Sequence, residues 1–178
     1  MALSAAEKKT LHDIARQSIA AGLQRQAPAP LPVYTGALQE PRGAFVTLHL
    51  RGNLRGCIGL IEGIKPLAAA VQEMAYAAAF HDPRFPPLSQ TEFKDIDVEI
   101  SVLSPLERLQ RLDDLQVGRH GLYLRRGRRH GLLLPQVATE YGWDRDTFLQ
   151  QTCRKASLPQ DAWKDPETEI YVFSAEIF

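Results

Sequence analysis

Gly43-Ala44-Phe45-Val46-Thr47-Leu48-His49-Leu50-Arg51-Gly52-Asn53-Leu54-Arg55-Gly56-Cys57-Ile58-Gly59-Leu60-Ile61 is the stretch on which the fold turns. Ala44–Leu50 has strand composition, Leu54–Ile61 is a second short apolar run, and Gly52-Asn53 stands between them, so the pair reads as a β-hairpin. In the second run Gly56 and Gly59 bracket a thiol, Cys57. Glycines there allow a sharp turn, or the close approach of another chain or a ligand. Arg55, two residues before the thiol, favours the thiolate if the turn folds it back.

Upstream of the hairpin, Ser4-Ala5-Ala6-Glu7 forms a capping box, and Leu11, Ile14, Ala15, Ser18 and Ile19 recur at helical spacing behind it. Gly22 and the proline-rich Ala27–Pro32 end that helix and lead into an extended connector. Downstream, Pro66 opens a helix running to about Phe80. Asp82-Pro83 and Pro86-Pro87 then force a loop. From Asp95 to Ser104, Ile96, Val98, Ile100 and Val102 alternate with Asp97, Glu99 and Ser101, which predicts a half-exposed strand. Gly121–Arg126 and His130–Leu134 flank Gly127 as a second hairpin. Pro135–Tyr141 and Asp144–Ser157 read as helices, the second capped by Asp144, and Ile170–Phe178 reads as one terminal strand. Strands and helices mix without regular βα alternation, so the class is α+β, with mixed or antiparallel sheets and flanking helices.

The 178 residues suit one domain spanning 1–178, or two closely packed lobes. Balanced charge, 21 Lys+Arg against 21 Asp+Glu, supplies no global pull toward nucleic acid or an anionic membrane. Two cysteines in unlike contexts, Cys57 and Cys153, do not make a disulfide framework and read as free thiols in a reducing cytosol. No secretory signal and no run of membrane-spanning length is visible, so a cytoplasmic protein is expected.

Several blocks together resemble the AMMECR family over almost the whole chain. They are Gly43–Leu48, Leu54–Gly59, Asp82-Pro83-Arg84-Phe85-Pro86-Pro87-Leu88, Glu99–Ser104, His120-Gly121, Leu134–Ala138, Trp143 and the ending Ala175-Glu176-Ile177-Phe178. Ser157 departs from the pattern, which has glycine there at a helix end. The resemblance implies an α+β fold with a larger and a smaller lobe. It also implies association with a Memo-like protein and a radical SAM protein, but no particular reaction.

Within these blocks, Cys57 reads either as a nucleophile or adduct carrier, with His120 or His49 as base, or as a small buried residue in a tight hairpin. Arg55, Asp82 and Arg84 form either an anion-binding cluster or an internal pair that pins the Asp82–Leu88 loop. Arg55, Gly56, Gly59, Asp82, Arg84 and Glu99 are thus the candidate substrate-binding set, and Glu99 either lines a cleft or meets water. His120 is equally a turn residue bonding the backbone. His12, His49, His81, His120 and His130 show no ligand spacing, so no metal is expected. No Walker loop, Rossmann fingerprint or three-cysteine cluster is present, so no cofactor is expected and such chemistry falls to a partner. Arg125-Arg126-Gly127-Arg128-Arg129-His130 is a basic run that suits RNA phosphates or a solvated hairpin tip. A non-catalytic adaptor using the same surface is the alternative to an enzyme.

Overall fold

The structure is a computed structural model that describes residues 2–178. The chain divides into two compact units, one running to Leu103 and taking in Glu176–Phe178, the other comprising Ser104–Ala175.

The first unit begins with helix α1 (Ala5–Leu23). Its capping box is complete: the Glu7 amide donates to Ser4 Oγ at 3.3 Å, and the Ser4 amide donates to Glu7 Oε2 at 2.8 Å. Such a cap contributes about 1 kcal/mol to the helix. Strands β1 (Ala44–Leu50) and β2 (Asn53–Leu60) form the expected hairpin. Because Leu50 pairs with Asn53, the two turn residues are Arg51 and Gly52, both at positive φ, one position earlier than Gly52-Asn53. That is the primed turn whose twist matches a hairpin. Helix α2 (Leu67–Phe80) follows, then strand β3 (Ile96–Leu103).

Alternation along the strands sends Val46, Leu48, Ile96 and Ile100 to the side where α1 and α2 bury Leu11, Ile14, Ile19, Leu67, Val71 and Met74. Small residues on α2, Ala70, Ala75, Ala78 and Ala79, are buried there too and let the helix lie close to the sheet. A Cβ placed on Gly56 would stand 2.1 Å from the Ala78 carbonyl oxygen, so this glycine admits the helix rather than making a turn.

In the second unit, β5 (Gly121–Arg126) and β6 (Arg129–Leu133) pair about Gly127. Strand β7 (Glu169–Phe173) lies on the other side of β5, and the short β4 (Glu107–Arg108) pairs with β7. Helices α3 (Pro135–Glu140) and α4 (Arg145–Lys155, capped by Asp144) accompany them. Leu122, Leu124, Phe148, Leu149, Cys153 and Val172 form that unit's core. The sheet order is β4-β7-β5-β6, with β4–β7, β7–β5 and β5–β6 all antiparallel.

Two sequence expectations need correction. The terminal segment is not one strand. It breaks at Ser174 into β7 and β8 (Ala175–Ile177), and β8 joins β3 in the other sheet, giving the order β2-β1-β3-β8. Alternation cannot reveal such a change of sheet, but the hydrogen bonds do. The Ser104 amide donates to the Ser174 carbonyl, and the Ser174 amide donates to Ser104 Oγ, tying the two chain crossings together. Strand β3 is also not simply half-exposed. It lies inside its sheet, and Ser101 is fully buried while Glu99 is half-buried. Period-two patterning tells which face a residue takes, not what covers that face.

Candidate functional site

Strand β2 is an edge of the first sheet, so alternate residues present amide and carbonyl groups outward with no strand to meet them. The Asp82–Leu88 loop meets them with side chains. The Cys57 amide donates to Asp82 Oδ2 at 2.9 Å, and Arg84 Nη2 donates to the Cys57 carbonyl at 3.3 Å. Asp82 and Arg84 are locked together in turn, Arg84 Nε and Nη2 donating at 2.9 and 2.7 Å and the Arg84 amide at 3.1 Å. The Asp82 carboxylate is buried. Arg84 and two backbone amides hold its pKa far below the ordinary carboxylate value, against the opposing effect of burial. The internal Asp–Arg pair is therefore real, and it also fixes the thiol residue's backbone.

Arg55 does not serve the thiolate as expected. Leu48 pairs with Gly56 and His49 with Leu54, which leaves Arg55 with no residue opposite. This β-bulge turns the arginine aside from the strand faces. Arg55 Nε donates to Glu92 Oε1 at 2.8 Å, while Nη2 donates to Glu92 Oε2 at 3.2 Å and to the Pro86 carbonyl at 2.9 Å. The pair brings Glu92 down to a pKa of about 2, chiefly through the Arg55 hydrogen bonds. Phe85 lies beside both guanidinium groups, 5.8 Å from Arg55 and 5.5 Å from Arg84.

The Cys57 side chain is half-buried, on the face of the sheet away from α1 and α2. Register aligns Cys57 with Thr47 and Thr47 with Glu99, a row across three strands. The Thr47 hydroxyl donates to Cys57 Sγ at 3.3 Å. Burial raises the thiol pKa, outweighing the opposite pull of Thr47 and Arg84, so Cys57 is a neutral thiol at pH 7. Gly59 pairs with Phe45 on the same face, where a Cβ would meet the Phe45 ring. Thr47, not His49, stands opposite the thiol.

The structure thus gathers Arg55, Gly56, Cys57, Gly59, Asp82, Arg84 and Glu99 in the first unit. His120 belongs to the second, where its amide and Nδ1 close a turn with the Gln116 carbonyl and amide. Burial, then Arg119, lowers its pKa. The basic run forms the β5–β6 tip, and three of its arginines are engaged: Arg125 by Glu169, Arg126 by Asp165 and Glu167, and Arg129 by the Ser157 carbonyl. Among the described residues, no group of three or more His, Cys, Asp or Glu side chains is placed to hold a metal ion. Among the described residues, no helix is long and apolar enough to cross a membrane.

Sequence reasoning missed Thr47 and Glu92. Thr47 follows only from strand register. Glu92 had a local signal, Ser89-Gln90-Thr91-Glu92, whose ends bond reciprocally as a capping box does.

A family model described as AMMECR1 matches residues 12–178. A protein of Methanothermobacter thermautotrophicus is 49% identical over 183 residues, covering 99% of this chain and 95% of its own. A protein of Methanopyrus kandleri is 49% identical over 153 residues, 81% of this chain and 74% of its own. The crystal structure of an uncharacterised protein from Pyrococcus horikoshii superposes with a TM-score of 0.89 at 42% identity, covering 94% of this chain and 88% of that one.

Proposed function

We propose, from the premise that this chain belongs to the AMMECR1 family, that it holds a substrate for a modification pathway run with a Memo-like protein and a radical SAM enzyme. The Cys57–Thr47–Glu99 row and the loop beside it form the holding surface. Cys57 acts there as a neutral hydrogen-bonding thiol and not as a nucleophile.

One observation carries this reading. The buried Asp82 carboxylate and the exposed Arg84 guanidinium that it holds are spent on fixing the Cys57 backbone from both sides, while the thiol itself is kept protonated. A strand edge closed only for stability needs no arginine pair, since a short loop or a proline suffices. A nucleophilic cysteine needs its thiolate stabilised, and here burial opposes it. The two free thiols suit a reducing compartment, which supports placing the work in the cytoplasm. An RNA-binding role gains little from the basic run, because its arginines are so largely occupied.

The test reconstitutes the chain with its source's Memo-like and radical SAM proteins and measures association and product formation. Cys57→Ser is expected to keep at least about a third of product yield, because a hydroxyl still donates and accepts. Asp82→Asn, verified as folded by circular dichroism, is expected to lose most of it. Complete loss in Cys57→Ser with Asp82→Asn intact would overturn the reading in favour of thiol chemistry. Retained association with both variants giving full product would leave the adaptor reading in its place.

A further inference from the structure

The second unit carries a pocket of about 620 Å³ beside the edge strand β4, in a region none of the AMMECR-like blocks covers. That volume is within the range of small-molecule sites, about 300–1,000 Å³. Leu109, Leu112, Ile170 and the Trp163 indole supply its apolar lining, and Arg108 and Lys164 its cations.

Two features set it apart from an ordinary surface hollow. Trp163 Nε1 and Thr168 Oγ1, both on lining residues, are buried and have no hydrogen-bond partner. Folded proteins leave few such groups, and both of these are donors. The charges are also unbalanced. Asp165 is taken by Arg126 at 2.8 Å, and Glu169 is bound by Arg125 at 2.6 Å. Among the described residues neither Arg108 nor Lys164 forms a salt bridge, although Arg108 acts on Glu169 at longer range, and Lys164 Nζ rests 5.1 Å above the Trp163 ring. The lining residues therefore combine unspent donors, positive charge and apolar surface.

We infer that this pocket binds a small carboxylate borne on an aromatic or branched apolar body. The carboxylate accepts from Trp163 Nε1–H and Thr168 O–H and is neutralised by Arg108 and Lys164. The body packs on the indole and on Leu109, Leu112 and Ile170. Both orphan donors are shielded from solvent, so binding turns the indole slightly outward. Its setting, the single 3₁₀ turn Ala162–Lys164, permits this. Inorganic phosphate shares the charge but leaves the apolar lining unused.

Indole N–H resonances test this directly, because the chain has only two tryptophans, Trp143 and Trp163. In ¹H–¹⁵N spectra of the full chain, with Trp143→Phe giving the assignment, phenylacetate is titrated to about 10 mM. That range suits a small probe with a dissociation constant near 1 mM. The expected result is a saturable shift of the Trp163 indole N–H with Trp143 unmoved. Affinity should fall about tenfold or more for 2-phenylethanol, for inorganic phosphate and in the Arg108→Gln/Lys164→Gln variant. Both substituted residues are exposed, so the fold survives. No saturable shift, an equal response to 2-phenylethanol or phosphate, or equal movement of both tryptophans would each overturn the proposal.

Discussion

Replacing Gly56 by alanine tests the claim that β2 and α2 are held together by a missing side chain. A Cβ at position 56 would lie 2.1 Å from the Ala78 carbonyl oxygen and 3.1 Å from its carbon, whereas ordinary contact begins at 3.4 Å. The obstacle is helix backbone, which no rotamer change removes, so helix and strand must part locally by about 1.3 Å. A gap of about 1 Å forfeits up to half of the dispersion energy of the contacts it opens. Ala75, Ala78 and Ala79, all buried on α2, lose part of theirs. The expected cost is about 3 kcal/mol, at the upper end for overpacking. Gly52→Ala is the control. Nothing lies within 4 Å of its added Cβ, so only the positive φ of +78° is penalised, at about 1 kcal/mol. Urea unfolding followed by circular dichroism gives both numbers as displaced midpoints at unchanged slope. If Gly56→Ala costs no more than Gly52→Ala, the close approach is not what the glycine is for.

Other substitutions and conditions probe the rest of the site. Ser157, at φ +57° beyond the end of α4, occupies the position where helices favour glycine, with the Leu158 amide bonding back to the Cys153 carbonyl. Ser157→Gly should raise stability by about 0.5–1 kcal/mol, read as a higher Tm, and a lower Tm would show that the Ser157 side chain contributes there. Asp82→Asn should cost about 2–3 kcal/mol in urea, since a buried acceptor of several charge-assisted bonds loses its charge; an effect below about 0.5 kcal/mol would mean the loop holds without it. Asp82 and Glu92 both have lower pKa values folded than unfolded, so the unfolded chain binds more protons in acid. Their stabilisation is complete above about pH 5 and is lost as pH falls toward about 2, and acid titration of both Asp82→Asn and Glu92→Gln should show this loss flattened. Iodoacetamide labelling of Cys57 should be slow at pH 7 and still rising beyond about pH 8.5, while buried Cys153 reacts only on unfolding; a rate plateau below pH 7 would reveal a stabilised thiolate.

Local chemistry fixed much of this protein. The Ser4–Glu7 box, the period of Leu11 to Ile19, Pro66 and the alternation of Ile96 to Val102 each depend on neighbours in sequence, and each element formed where its residues direct. The Asp82–Leu88 block was visible as a rigid loop because its prolines restrict backbone angles wherever they occur. What tertiary structure alone decided involves partners distant in the chain. Arg55 looked like a companion of the thiol two residues away, but a bulge set by pairing with β1 turned it to Glu92, 37 residues on. Thr47 reached Cys57 through register, and Gly56 owed its purpose to Ala78 of α2, more than twenty positions downstream. The break at Ser174 depended on which sheet had an edge open beside β3. Backbone preference is written locally, whereas side-chain direction and charge pairing are settled only when separate elements pack, and in this chain the site is made almost wholly of the second kind.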